Sequence, residues 1–198
     1  MALLEARDVA RRPLFEGRGL DLALGEIVAL SGPSGSGKSL FLRGLADLDP
    51  LDAGTVRLEG VAREDVEPTT WRSRVLYVHQ QGVRLPGTVA DNLARVASLH
   101  VQRERAARIR AGVDGLDPGA EADRLSGGEA QALALDRALA CAPAVLLLDE
   151  STSAMDPDLA AIWEGRVRAF ADAGGVVLWV AHDRNLAERV GARAERFP

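Results

Sequence analysis

Lys38 is the single lysine of a chain that otherwise carries its positive charge on arginine. It closes the run Ser31-Gly32-Pro33-Ser34-Gly35-Ser36-Gly37-Lys38-Ser39, which combines three glycines, one ammonium group and several hydroxyls. These residue types at these spacings follow the G-x-x-x-x-G-K-[ST] order that wraps backbone N–H groups round a polyphosphate. Glycine lacks Cβ and takes positive φ at little steric cost, so Gly32, Gly35 and Gly37 are expected to turn successive amides inward as an anion nest. Lys38 would reach the β- and γ-phosphates, and the Ser39 hydroxyl would ligate Mg²⁺. A compact ammonium suits such a channel in a way that a planar guanidinium does not.

A second set of candidate chemical groups ends the apolar run Leu146-Leu147-Leu148-Asp149-Glu150. Two carboxylates at the end of a buried strand sit at the sheet edge where a phosphate loop also lies. Asp149 is suited to hold Mg²⁺ with Ser39. Glu150 is suited to polarise an attacking water, a general-base role worth roughly 10²–10⁴ in rate. A third set is Arg124-Leu125-Ser126-Gly127-Gly128-Glu129-Ala130-Gln131. Ser126 with Glu129 three residues later makes a capping box for the apolar helix that follows. A cap needs no double glycine, however. Gly127 and Gly128 strip side chains from a helix N-terminus, so its amides and the Ser126 hydroxyl can approach an anion closely. The phosphates are already cradled from one side, so this second anion site suggests closure on a nucleotide held by another subunit.

The elements that must position these groups are legible as periodicities. Glu26 to Leu30 has the length of a buried strand, and Leu40, Phe41, Leu42 and Leu45 continue as a helix, which places the glycines between the two. Leu3 to Val9 and Leu20 to Leu24 read as short strands that pair, and Gly54 to Leu58 and Val75 to Val78 as further strands. Pro68-Thr69-Thr70-Trp71 opens a short helix. Ala144 to Leu148 and Val176 to Val180 are uninterrupted apolar runs, as parallel strands covered on both faces require. Between them Leu159, Ile162, Trp163, Val167 and Phe170 mark one side of a helix opened by Asp156-Pro157. From Gln80 onward glycines and prolines break the pattern, and Val89, Leu93, Val96 and Leu99 form a helical stripe. The expected architecture is an α/β domain with a mostly parallel sheet, an N-terminal antiparallel β portion and an inserted helical subdomain. The α/β core takes 1–79 and 136–198, and the insertion about 80–135.

With 198 residues, 47% of them hydrophobic, the chain can bury a substantial core. No apolar run approaches the roughly 20 residues that span a bilayer, and no basic start leads into a long apolar segment, so no secretory signal is expected. The lone Cys141 excludes an intrachain disulfide and reads as small core filler among alanines and Leu139. A formal net charge of −5 argues against nonspecific nucleic-acid binding. Arg103, Arg105, Arg108 and Arg110, interrupted by Glu104, read as an exposed helix face.

Taken together, the phosphate loop, Gln80, Leu125-Ser126-Gly127-Gly128-Glu129, Leu148-Asp149-Glu150, Ser153-Ala154-Met155-Asp156 and Ala181-His182-Asp183 resemble the motif series of ATP-binding cassette (ABC) ATPases, in order and in spacing. Ser126 precedes Asp149 by 23 residues, and Asp149 precedes His182 by 33. The resemblance implies a P-loop NTPase core and a head-to-tail homodimer that sandwiches two ATP and Mg²⁺. Each nucleotide would lie between Gly32 to Ser39 of one copy and Ser126 to Gly128 of the other. It further implies that His182 contacts the γ-phosphate and that Asp156 lies at the dimer seam. Gln80 would touch Mg²⁺ or the water and sense a transmembrane permease partner. The implied place is cytoplasmic, peripheral on the inner face of the membrane through that partner. Within the family, Val75 to Leu93 and Val177 to Asp183 are most similar to small bacterial iron-efflux ATPases. Several positions depart from the pattern. Val9-Ala10-Arg11-Arg12 occupies the stretch where an aromatic usually stacks on adenine, so Phe15 or an arginine plane must serve. Leu40 replaces a second hydroxyl, Ala132 an arginine, and Met155 a leucine. A soluble ATP switch without a transported solute is the competing reading. A P-loop kinase would leave Ser126-Gly127-Gly128 without a task.

Overall fold

The computed structural model describes residues 2–97, 115–181, 183 and 185–198. Leu99, His100, the arginines at 103, 105, 108 and 110, and His182 lie outside the described residues.

The apolar runs become the centre of a parallel sheet. Strand β7 (Val145–Asp149) pairs in parallel with β6 (Val75–Val78) on one side and β8 (Val176–Val180) on the other. The sheet continues through β3 (Ile27–Ser31) to β9 (Arg193–Arg196), in the order β6-β7-β8-β3-β9 among the described residues. Alternation sorts the side chains. Val145, Leu147, Val176, Leu178, Val180, Val28 and Leu30 enter one core, while Leu146, Leu148, Val177, Trp179 and Ile27 enter the other. A strand whose two faces are both covered has no place for a polar residue, which is why these runs are continuous.

The first core is closed by an antiparallel sheet and two helices. Strands β1 (Ala2–Arg11), β2 (Phe15–Ala23), β4 (Ala53–Leu58) and β5 (Val61–Ala62) lie in the order β2-β1-β4-β5. They pack Leu4, Ala6, Leu22, Val56 and Leu58 toward helix α1 (Lys38–Leu45) and Trp71 of α2 (Pro68–Arg74). The Trp71 indole N–H is satisfied by the Leu45 carbonyl at 2.9 Å. The second core is closed by α4 (Gly127–Ala140), α5 (Pro157–Asp172) and α6 (Leu186–Val190), with α3 (Val89–Ala97) packed on α4.

Several expectations change. Strand β2 begins at Phe15 rather than Leu20, because cross-strand partners such as Val9↔Arg18 and Arg11↔Phe15 recruit a glycine-containing stretch with no alternation of its own. Strand β9 was not expected at all: Arg-Ala-Glu-Arg carries the charge of an edge strand instead of an apolar pattern. Cys141 is half-buried rather than core, since it caps the C-terminus of α4.

Candidate nucleotide site

The glycine loop joins β3 to α1 as the spacing predicts, but its three glycines act differently. Gly35 and Gly37 adopt φ of 77° and 97°, the left-handed region open to glycine. Gly32 does not have a positive φ, and here the expectation is corrected. Its missing Cβ is demanded by packing, since that atom would lie 2.6 Å from the Phe197 carbonyl oxygen. Lys38 is buried, and its Nζ donates to the Gly32 and Pro33 carbonyls at 3.0 and 2.6 Å, folding the ammonium back over the loop. The Ser36 hydroxyl is buried without a hydrogen-bond partner. A buried orphan hydroxyl is costly unless something else completes it. Together with a captive ammonium and exposed Ser34 and Ser39, this donor set fits an anion with several oxygens. A cavity of about 710 Å³ opens beside Ser31, Gly32 and Pro33, between β3, β9 and Asp183, but none of Gly35 to Ser39 lines it. The cavity therefore flanks the start of the loop.

The carboxylates emerge where β7 ends. Asp149 is buried, and the Tyr77 hydroxyl donates to its Oδ2 at 2.8 Å. Burial first, and then this bond, push the Tyr77 phenol above its usual range. No cluster of three or more histidine, cysteine or acidic ligands exists among the described residues. A cation here would share one carboxylate and the Ser39 hydroxyl with phosphate oxygens, which is how Mg²⁺ is commonly held. Glu150 takes a positive φ of 50°, a conformation that a side chain rarely adopts and that turns it off the strand. Gln80 Nε2 donates to Glu150 Oε2 at 2.9 Å, so two residues 70 positions apart meet. The loop carrying Gln80 is held to α4 and to the residue before its cap: Gln131 Nε2 donates to the His79 carbonyl at 2.9 Å, and Arg84 Nη2 to the Leu125 carbonyl at 3.0 Å.

Ser126 caps α4 as a capping box. The Glu129 N–H donates to Ser126 Oγ at 3.2 Å, and the Ser126 N–H donates to Glu129 Oε2 at 2.8 Å. Ser126 and Gly127 are exposed, and a Cβ on Gly127 would meet open space. Gly128 differs from the expectation. It is buried, and its Cβ would lie 2.7 Å from the Ala154 carbonyl oxygen, so its smallness serves packing within the chain. That contact fuses residues 126–128 with the segment leading to Asp156, and both line a hollow of about 620 Å³ with Leu159 and Ile162. Asp156 is exposed and caps α5, its Oδ1 accepting from the Asp158 and Leu159 N–H groups at 3.1 and 3.0 Å. Phe15 is only 4% exposed, which corrects its candidacy for stacking on a base. Arg12 stays exposed, its Nε donating to Glu16 at 2.9 Å.

The cap carries a pH prediction. The Ser126 backbone N–H, and then its hydroxyl, hold the Glu129 carboxyl below the usual carboxylate range. A depressed folded pKa means that the stabilisation is fully present above the unfolded value, about 4.3, and is lost as pH falls through the lower folded value. Glu129→Gln should flatten the acid limb of the unfolding-stability curve below about pH 4.3. An unchanged slope in acid denaturation would contradict this.

Three comparisons bear on this arrangement. The family model described as "ABC transporter" matches residues 15–153. Among curated proteins, the chain is 38% identical over 195 residues to the lipoprotein-releasing system ATP-binding protein LolD of Maricaulis maris, covering 90% of this chain and 83% of that one. It is 38% identical over 193 residues to a probable anion import ATP-binding protein of Haloferax volcanii, covering 85% and 66%. It is 40% identical over 192 residues to the Fe(3+) ions import ATP-binding protein FbpC of Streptomyces coelicolor, covering 90% and 54%. The chain thus spans about half to five sixths of the length of these relatives. Among solved structures it is similar to the dimeric structure of MJ0796, a bacterial ABC transporter cassette, with a TM-score of 0.83 and 26% identity over 98% of this chain and 94% of that one. A dimeric post-hydrolysis state of the same cassette, bound to ADP and Pi, gives a TM-score of 0.82 at the same identity and coverage.

Proposed function

The chain belongs to the ABC transporter family of ATP-binding ATPases, and from that premise we propose that it is the ATP-hydrolysing subunit of a transporter. Two copies close on two Mg–ATP, and the cycle of closure and release moves a transmembrane permease partner. The observation that carries this reading is the separation of the two anion-receptive surfaces. The hollow beneath Ser126 and Gly127 is lined by no residue of the phosphate loop, and Ser126 faces outward. One copy therefore presents a half-site that a second copy must complete.

In this reading the N–H groups of Gly32 and of Ser34 to Ser39, with the Ser34 and Ser36 hydroxyls, cradle the phosphates, Pro33 lies against them without an N–H to donate, and Lys38 unfolds from its own carbonyls to neutralise them. Asp149 and Ser39 would hold Mg²⁺, which supplies charge stabilisation as the γ-phosphoryl leaves. Glu150 accepts a proton from the attacking water, and Gln80, bonded to it, orients the carboxylate. Ser126, Gly127 and Gly128 approach the nucleotide of the other copy, with Asp156 at the seam. His182, outside the described residues, is assigned to the γ-phosphate through the resemblance of Ala181-His182-Asp183 to the family's motif. No described helix is long and apolar enough to cross a membrane, so a position on the inner membrane face would come from the partner. The relatives named above act on anions, lipoproteins and ferric ions, and the solute path is assigned to the partner as well.

The test is the dependence of phosphate release on protein concentration. A two-copy active unit gives a specific activity that rises with concentration and is raised again by a permease in proteoliposomes. A flat specific activity across a hundredfold dilution would sink the two-copy reading. Stimulation by no membrane fraction would favour the soluble switch.

The link from α4 to Gln80 yields a further expectation. A Cβ on Gly82 would run into the Ala130 carbonyl and the Gln131 nitrogen, both helix backbone that cannot yield. Gly82→Ala should lift the loop off α4 and lower turnover on the order of tenfold to a hundredfold, as expected for misplacing a catalytic group by about 1 Å. Nucleotide affinity should hold, because the phosphate loop lies elsewhere. Loss of binding without loss of turnover at saturation would contradict the assignment.

A further inference from the structure

The phosphate loop does not rest on its own strand and helix alone. Three of the chain's four phenylalanines, Phe15, Phe41 and Phe197, meet beside it. Phe15 meets Phe41 edge-on at 5.7 Å between centroids and Phe197 at 5.5 Å, while Phe41 and Phe197 lie 5.4 Å apart and tilted. All three are buried, and they come from β2, from α1 and from the position after β9. Each end of the loop touches a different member. A Cβ on Gly37 would lie 3.0 Å from Phe15 Cδ1, and one on Gly32 would lie 3.1 Å from Phe197 Cβ. The Phe197 N–H donates to the Ser31 carbonyl at 2.7 Å, which ties the ring's own backbone to the start of the loop. Arg18 on β2 covers the far side, its guanidinium 4.7 Å from the Phe197 centroid and its Nη2 donating to the Arg196 carbonyl at 3.3 Å.

We propose that Phe15 and Phe197 are positioning residues for nucleotide binding: the Phe15 ring backs Gly37, and the Phe197 ring, anchored on Phe15 and Phe41, sets its own carbonyl and Cβ against Gly32, at the spacing which aims the intervening amides at a triphosphate. The inference rests on the ATP-binding reading above and assigns part of its affinity to residues that touch no phosphate. The physical reason is conformational entropy. A glycine-rich loop has many accessible shapes, and fixing each residue's backbone costs conformational entropy. Within the loop, the Ser36 N–H reaches the Pro33 carbonyl only at 3.4 Å, and the two short bonds from Lys38 to the Gly32 and Pro33 carbonyls are ones that the ammonium gives up when it turns to phosphate. Packing against the rings fixes the loop before the ligand arrives, and a preorganised site does not spend binding energy on ordering itself. With a ring removed, that ordering cost moves to the binding step, so affinity falls while turnover at saturation is little changed.

The test compares Phe197→Ala, Phe197→Leu, Phe15→Leu and wild type, with Mg–ATP affinity measured by calorimetry well below the unfolding midpoint of each protein. Phe197→Ala should raise Kd and KM about tenfold with kcat within about twofold of wild type, as the loss of preorganisation predicts. Phe197→Leu, which keeps bulk against Phe15 and Phe41 and so keeps residue 197 anchored beside Gly32, should recover most of the affinity. Phe197→Ala could fail to fold, in which case Phe15→Leu and Phe197→Leu carry the test, with an expected rise of about threefold in Kd. Variants that unfold at lower temperature yet bind Mg–ATP with wild-type Kd would reduce the rings to ordinary core and overturn the proposal. A wild-type protein that binds no ATP would instead overturn the functional reading on which it stands.

Discussion

Glu150→Gln is expected to abolish phosphate release while Mg–ATP still binds, leaving two copies locked around the nucleotide. Glutamine keeps the shape of the side chain and can still accept from Gln80 Nε2, now 2.9 Å from Glu150 Oε2. What it loses is the negative charge and basicity needed to take a proton from water, a contribution of roughly 10²–10⁴ in rate. The strained backbone at Glu150, with φ of 50°, should be as well tolerated by glutamine, so the effect isolates chemistry from folding. Phosphate release and light scattering with and without Mg–ATP together check the expectation. Release within a few-fold of wild type would remove Glu150 from the mechanism.

Lys38→Ala should act at the earlier step. Lys38 is 6% exposed and bonded to two loop carbonyls, so its removal deletes the buried cation of the site. A hydrogen bond to a charged group is worth about 1.5–3 kcal/mol, which corresponds to roughly a tenfold to hundredfold loss of affinity for the triphosphate. Because no other lysine exists, an amine-directed reagent offers an independent readout. Labelling mapped to the peptide containing residue 38 should be suppressed by Mg–ATP and not by adenosine. An unchanged Kd in Lys38→Ala, or labelling indifferent to nucleotide, would contradict the assignment.

The legible part of this protein is the part written contiguously. Ser31 to Ser39 states a loop, its lysine and the hydroxyl proposed for Mg²⁺ within nine neighbours, and Val145–Asp149 and Val176–Val180 state buried parallel strands by continuous hydrophobicity. The capping box of Ser126 and Glu129 is likewise local, since it joins residues three apart. Less legible were elements whose stability comes from a partner strand. Strand β9 is charged and mostly exposed, and only its pairing with Val28 to Ser31 makes it a strand. The roles of individual glycines were also hidden. Gly32 and Gly128 read as openings for an anion, whereas each is small because a backbone carbonyl, that of Phe197 or Ala154, occupies the space.

Residue order thus determined the nucleotide chemistry, the sheet's central strands and the membership in a family, because each depends on neighbours in the chain and on periodic hydrophobicity. Tertiary structure decided which aromatic rings support the loop, that Phe15 is core rather than a base platform, and that Gln80 and Glu150 touch. It also decided that Ser126 looks outward from a hollow of its own. These are contacts between groups as far apart as Arg18 and Arg196, and no local pattern encodes a distance across a core.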